Sequence, residues 1–137
     1  MRLAASADSV WTLIGPFDSL PLWHPLVREC TLAYAGGHKL RRILLHDGRR
    51  IVNREEARDE AKRSYSYSIV EAPVAVTSYL STLTVHEEGP QSCLVHWESA
   101  FVARPGADPE DERRMVESLV RPGLENLGRL FGRTNGE

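Results

Sequence analysis

Hydrophobic and polar residues alternate along most of the middle of the chain. The segment 63–70 is the clearest case, because Tyr65, Tyr67 and Ile69 alternate with serines. Alternation with period two places successive side chains on opposite faces of a β-strand. The same pattern predicts strands at about 30–34, 40–46, 50–57, 76–86 and 93–101, with glycine or proline turn signals between most of them. Strands joined by short turns predict an antiparallel meander.

The two ends of the chain show helical spacing instead. Residues 9–14 place Val10, Trp11 and Ile14 on one face, and Ser6 and Asp8 offer N-caps before them. Prolines at 16, 21 and 25 limit the next stretch to a loop with one helical turn. A long amphipathic helix is predicted from about Pro109 to Phe131, with Asp108 as its N-cap. Its apolar positions are Val116, Leu119, Val120, Leu124, Leu127 and Phe131.

The last predicted strand carries the aromatic side chains nearest to this helix. Its alternation puts Val95, Trp97 and Phe101 on one face, and His96 and Glu98 on the other. A curved sheet that closes on a helix leaves a hollow between the two layers. A hollow lined with aromatic side chains is a place to hold a small apolar molecule. The elements therefore predict an α+β fold with a ligand cavity.

Composition excludes several other classes of protein. A length of 137 residues fits one domain, 1–137, and 17 Lys and Arg against 19 Asp and Glu give a net charge of −2. Nucleic acid is not an expected partner, because no large positive field attracts phosphates. A basic run brackets the Asp47-Gly48 turn, and we expect it to decorate solvated strand faces; it comprises Lys39, Arg41, Arg42, Arg49 and Arg50.

Cysteine spacing and hydropathy add further expectations. Cys30 and Cys93 have no CxxC partner, so we expect small buried hydrophobic residues rather than a metal or redox site, and no cofactor. No apolar run reaches the length of a signal segment or a membrane span. The expected location is therefore the cytoplasm, without membrane insertion.

Several segments in order resemble one known family. They are ADSVWTLIGPF at 7–17, Trp23-His24-Pro25, IVNR at 51–54, RSYSYSI at 63–69, Trp97 with Phe101, and GLENL at 123–127. Together they resemble the polyketide cyclase/dehydrase-like branch of the START and Bet v 1-like (SRPBCC) superfamily. The resemblance implies a helix-grip fold, in which an antiparallel sheet of six to seven strands wraps around a long C-terminal helix. It also implies two short helices after the first strand and a cavity between sheet and helix.

The chain departs from the family pattern at two places. Relatives have a complete first strand where this chain offers only residues 1–6, so that strand is expected to be very short, or the native start to lie upstream. An exposed sheet edge or a homodimer contact would follow from a short strand. Relatives also commonly carry Glu where this chain has Asn53, and an amide cannot act as a general acid or base.

Candidate site residues follow from the patterns and the resemblance. His24 and Tyr67 are the weak candidates for acid/base chemistry, and no catalytic residue is assigned. The expected ligand-binding residues are Trp23, His24, Asn53, Tyr65, Tyr67, Tyr79, Trp97, Phe101 and Leu124. Several have a plainer alternative: His24 as the cap of a helix turn or a partner of a backbone carbonyl, the tyrosines as core residues, and Trp97 and Phe101 as cavity wall. No metal site is expected, because no metal-spaced cluster of His and Cys is present.

Three functional hypotheses remain open from the sequence. The preferred one is binding of a small hydrophobic or aromatic molecule, polyketide-like or lipid-like, without catalysis. The second is a cyclase or dehydratase reaction on such a ligand. The third is a dimeric regulatory or chaperone-like protein, which requires a filled cavity and a large exposed apolar surface.

Overall fold

A computed structural model describes residues 1–134 of the chain. The elements are β1 (Arg2–Leu3), α1 (Ala7–Ile14), α2 (Leu20–Trp23), β2 (Val27–Ala35), β3 (His38–Leu45), β4 (Arg50–Asp59), β5 (Ser64–Glu71), β6 (Val76–Gly89), β7 (Ser92–Ala103) and α3 (Pro109–Phe131). They form one curved antiparallel sheet of seven strands in the order β1-β7-β6-β5-β4-β3-β2, with α3 packed on it. The predicted α+β helix-grip architecture is confirmed.

The two edges of the sheet differ. β1 has only two residues, and its Leu3 pairs with Cys93 of β7 on one side and with Arg133 on the other. The expected very short first strand is thus present, and the chain after α3 covers its edge. β2 is the other edge, nine residues long, and Tyr34 on it is exposed.

The turn between β3 and β4 sets the register of two strands that line the interior. At the β3–β4 hairpin, Gly48 takes φ 90°, and Asp47 Oδ1 accepts a hydrogen bond from the Arg49 backbone N–H at 3.0 Å. The resulting register pairs Ile43 with Ile51 and Arg41 with Asn53. Positions two residues apart share a face, so these pairs all point to the same side of the sheet.

The helix caps follow the sequence signals. Ser6 Oγ accepts from the Ser9 N–H at 3.1 Å, so α1 begins at Ala7, slightly earlier than the predicted residue 9. Asp108 Oδ1 accepts from the Glu110 N–H at 2.9 Å, and α3 then continues through the internal Pro122. No helix among residues 1–134 is long and apolar enough to span a bilayer.

The expectation that the whole basic run lies on solvated faces is wrong at Arg41. Arg42 is exposed, but the Arg41 side chain is only 1% exposed, because it shares the inward parity of Ile43 and Leu45. The expected burial is found for Cys93 and only partly for Cys30, which is half-buried. Burial raises the pKa of the Cys30 thiol to about 11, so it is a thiol at neutral pH.

Candidate ligand-binding cavity

A cavity lies between the concave face of the sheet and α3. Its walls come mainly from β3, β4 and β5 on one side, and from Val116, Leu119 and Val120 of α3 on the other. The volume that the centre of a water molecule can occupy in this cavity is about 60 Å³. That is room for a few water molecules, since one water needs roughly 10–15 Å³ on this scale. The cavity is therefore narrow as it stands.

Arg41 forms the polar end of the cavity. Its Nε donates to Asn53 Oδ1 at 2.8 Å, and its Nη1 donates to the Phe17 carbonyl and to Tyr65 Oη, both at 3.1 Å. The guanidinium lies 4.2 Å from the centre of the Phe17 ring and 4.5 Å from that of Tyr67. Cation–π contacts of this kind stabilise a desolvated cation. Aromatic rings and neutral acceptors thus hold Arg41 in one orientation.

The phenol groups around Arg41 are neutral at physiological pH. Burial raises the pKa of Tyr65, and the Arg41 charge acts against that shift. Burial also raises the pKa of Tyr67, with the nearby Tyr79 adding to the effect. Tyr67 is thus a hydrogen-bonding group rather than a general base.

A hydrogen-bonded group of three side chains forms the wall beside Tyr67. The Trp97 indole N–H is shared between Tyr67 Oη at 3.1 Å and Ser81 Oγ at 3.0 Å. Ser81 is fully buried, and its hydroxyl also donates to the Glu98 carbonyl. The network fixes the indole plane, so Trp97 presents a defined aromatic surface to the cavity.

His24 lines the cavity, and both of its ring nitrogens contact backbone. Nε2 lies 2.6 Å from the Leu119 carbonyl oxygen, and Nδ1 accepts from the Leu26 N–H at 3.3 Å. A carbonyl only accepts and an N–H only donates, so the geometry assigns the neutral tautomer with its proton on Nε2. Burial lowers the pKa of His24, which agrees with that assignment. Neither nitrogen is free to exchange a proton with a ligand.

The close approach of α3 to His24 depends on Gly123. A methyl group at this position would lie 2.7 Å from His24 Cδ2 and 3.1 Å from Trp23 Cζ3. Asn126, one turn later, donates from Nδ2 to the Trp23 carbonyl at 2.9 Å. These contacts hold α3 against the end of α2 and against His24, which follows it.

A groove runs beside the cavity, between β7 and α3. Phe101, Leu124 and Arg121 line it, and its volume on the same scale is about 330 Å³. Three of its lining side chains also border the cavity; they are Trp97, Val116 and Val120. These three side chains are the shared wall between the narrow cavity and the wider groove.

The structure divides the predicted site residues into three groups. Residues that line the cavity are His24, Asn53, Tyr67, Tyr79 and Trp97. Those that line the groove are Trp97, Phe101 and Leu124. Trp23 and Tyr65 border neither space; they are 1% exposed and pack against Trp97 and Arg41 respectively. The role of each residue in ligand binding stays a prediction.

Arg41 is the site residue that the sequence reasoning missed. The signal was available, because Arg41, Ile43 and Leu45 share one parity on a strand whose apolar side faces inward. Because the basic residues were treated as one solvated run, the prediction overlooked that Arg41 and Arg42 lie on opposite faces of the strand.

The chain matches a family described as polyketide cyclase / dehydrase and lipid transport, over residues 1–132. The chain belongs to this family. The polyketide cyclase/dehydrase family assignment confirms the resemblance seen in the sequence, and it fits the seven-stranded sheet and C-terminal helix described above.

Individual relatives of this polyketide cyclase/dehydrase family member span several functions. The protein XoxI from Bacillus cereus is 35% identical, with a TM-score of 0.87 and coverage of 96% of this chain and 91% of that one. The abscisic acid receptor PYL6 of Arabidopsis thaliana is 25% identical over 143 residues, which cover 96% of this chain and 66% of the receptor. The Zhui aromatase/cyclase from Streptomyces sp. R1128 has a TM-score of 0.72 at 18% identity, a likeness of fold alone.

The described part of this family member contains no evident metal-binding cluster. Among residues 1–134, no three His, Cys, Asp or Glu side chains are grouped so that they could hold a metal ion. The expectation that the protein uses no cofactor stays a prediction.

Proposed function

We propose that this protein reversibly binds a small aromatic or largely apolar molecule in the cavity between the sheet and α3. The observation that carries the proposal is the cavity itself, an apolar hollow with a few fixed polar groups such as Asn53 and Tyr67. Sites for small molecules in proteins commonly have this composition. Membership of a family with cyclases, dehydrases and lipid carriers supports the same conclusion.

The dimensions of the cavity limit how the ligand binds. About 60 Å³ is far below the roughly 300–1,000 Å³ of sites that enclose drug-sized ligands. The ligand is therefore a compact, single-ring molecule, or it binds after the shared wall opens onto the groove. We favour entry by displacement of the Val116 and Val120 side chains, because the groove on the other side has space for a second ring.

Binding is preferred over catalysis because the candidate acid/base groups are already engaged. Both nitrogens of His24 contact backbone groups, and Asn53 has no titratable proton. Burial raises the pKa of Tyr67, which keeps its proton in place. A cyclase or dehydratase reaction is the alternative, and it predicts conversion of a bound polyketide-like substrate.

Native mass spectrometry and denaturing extraction of the purified protein identify any co-purified molecule. Heteronuclear NMR titration with aromatic acids, phenols and short acyl compounds then measures affinity. The key variant is Val120→Phe in the shared wall, and we expect at least about tenfold weaker binding because the larger side chain occupies space that the ligand would fill. Val102→Phe, at an exposed position on β7, is the matched control and should bind as the original protein does.

Two outcomes contradict the proposal. Unchanged affinity in a folded Val120→Phe protein would place the ligand elsewhere. Conversion of a bound compound to a product, over more than one turnover per protein molecule, would favour the cyclase or dehydratase alternative.

A dimeric regulatory or chaperone-like role stays a prediction. The observation relevant to it is the β2 edge, where Leu32 and Tyr34 are exposed. Sedimentation equilibrium of the protein and of a Tyr34→Lys variant measures the dimer directly. A monomer at all concentrations would exclude a homodimer.

A further inference from the structure

Arg41 supplies the net charge of the cavity. The other polar side chains at its end are neutral near pH 7, because His24 has a lowered pKa, Tyr67 has a raised one, and Asn53 does not titrate. Among residues 1–134, no carboxylate forms an ion pair with Arg41, although the guanidinium is 1% exposed. The cavity therefore has a net charge of about +1, since a guanidinium stays protonated in proteins.

One end of this guanidinium has no protein partner. Nε and Nη1 make the three hydrogen bonds described above, whereas Nη2 makes none within the described residues. Among the buried and half-buried residues of 1–134, no side-chain nitrogen or oxygen atom that is fully shielded from solvent lacks a hydrogen-bond partner. Nη2 is therefore not fully shielded, and Arg41 is one of the residues that line the cavity.

The surroundings of Arg41 hold this charge without neutralising it. Asn53 accepts the Nε–H as a carboxylate would, but it adds no negative charge. The Phe17 and Tyr67 rings lie against the guanidinium, with its carbon 4.2 Å and 4.5 Å from the two ring centres. A buried cation without a counter-ion is costly, and a ligand that brings the counter-ion recovers that cost on binding.

We propose that the ligand of this cavity is an organic anion, whose carboxylate binds Nη2 of Arg41 while its apolar part lies against Trp97 and the α3 side chains. The inference rests on the proposed function, and it adds the chemical class of the ligand. A carboxylate matches a guanidinium in planar geometry, and such charge-assisted bonds are stronger than neutral ones. A carboxylate is also a small head group, which suits a cavity with a volume of only about 60 Å³.

The test compares acids with their isosteric amides. The probes are benzoate, cinnamate and 2-naphthoate, each paired with its carboxamide, so that shape is kept while charge changes. We expect at least one acid to bind about tenfold or more tightly than its amide, by NMR titration at pH 7. The preference should weaken only modestly as salt is raised, because the site is buried.

Two variants and one control assign the preference to Arg41. Asn53→Asp gives Arg41 an internal counter-ion with almost no change of shape, so the preference for acids should disappear while the amides still bind. Arg41→Met removes the charge and should have the same effect. Arg42→Met, on the solvent face of the same strand, should keep the preference.

The outcomes separate this inference from the function on which it rests. Equal affinity for acids and amides in the original protein, or an undiminished preference in Asn53→Asp, would overturn the anion inference and leave the binding cavity intact. Failure of all six probes and of the broader aromatic and acyl set to bind would overturn both. Asn53→Asp keeps the test decisive even when Arg41→Met does not fold.

Discussion

The interior of this protein has two halves of different character. Where β1, β6 and β7 meet α1 and the end of α3, the core is apolar and fully closed, with Leu3, Val10, Leu83 and Leu127 at 0% exposure. Where β3, β4 and β5 face the middle of α3, polar groups are buried around an open space, with Arg41 as the charged member. One sheet thus supports a closed core at one end and a cavity at the other.

The two halves contribute differently to the stability of the fold. The closed half gains from apolar burial and tight packing. The cavity half buries a cation, an amide and an imidazole, whose desolvation opposes folding unless every hydrogen bond is made. A half with costly polar groups and unfilled space is typical of a ligand site.

The largest expected effect comes from truncation in the closed half. Leu83→Ala should lower the free energy of unfolding by about 2–5 kcal/mol, because Leu83 is completely buried and its removal leaves a cavity. Leu119→Ala should cost less, since Leu119 is half-buried and already borders open space. Urea denaturation of both variants measures the contrast. Equal losses would mean that the two halves are packed alike.

Two buried glycines of α3 offer a second contrast. Gly123→Ala places a methyl group against the His24 and Trp23 rings and should cost about 1–3 kcal/mol of unfolding free energy. Gly128→Ala places a methyl group 2.7 Å from Cγ and 2.8 Å from Cδ of Arg133, so the Arg133 side chain has to adopt another rotamer. The higher helix propensity of Ala should then keep the change within about 1 kcal/mol. Thermal and urea unfolding decide between these outcomes.

The pH dependence of the unfolding free energy tests the cavity half of the interior through His24. The pKa of His24 is lowered on folding, so the unfolded chain takes up a proton more readily than the folded one. The His24 contribution is complete above about pH 6.5, the value of a free histidine, and is lost as pH falls towards the folded pKa. The slope attributable to one group is at most about 1.4 kcal/mol per pH unit.

His24→Gln should remove this slope between pH 7 and 5, as measured by urea denaturation at several pH values. His86→Gln, at an exposed position, is the control and should leave the slope unchanged. A slope that persists in His24→Gln would mean that another group titrates on folding.

The smallest effect is expected for a single hydroxyl of the cavity wall. Tyr67→Phe removes one of the two acceptors of the Trp97 indole N–H, while Ser81 Oγ remains. The unfolding free energy should fall by about 0.5–1.5 kcal/mol. Tryptophan fluorescence and urea unfolding report the change together. A loss above this range would show that the hydroxyl also orients Arg41 through the stacked ring.

Local patterns predicted the fold well and the site only in part. The serine and tyrosine alternation of β5 and the Asp108-Pro109 start of α3 are signals within a few residues, and both elements formed as predicted. The burial of Arg41 depends on which face of β3 is concave and on how β4 aligns with it, which are properties of the whole sheet. The volume of the cavity depends on side-chain packing across two layers, and no sequence period encodes it.

The wall formed by Trp97, Val116 and Val120 has a consequence for the speed of binding. A ligand that enters from the groove by the proposed route must wait for the Val116 and Val120 side chains to move away from Trp97, so the observed association rate should level off as ligand concentration rises. The plateau is the frequency of opening, a property of the unliganded protein. The same wall would slow departure, and it would give the complex a long lifetime even at moderate affinity.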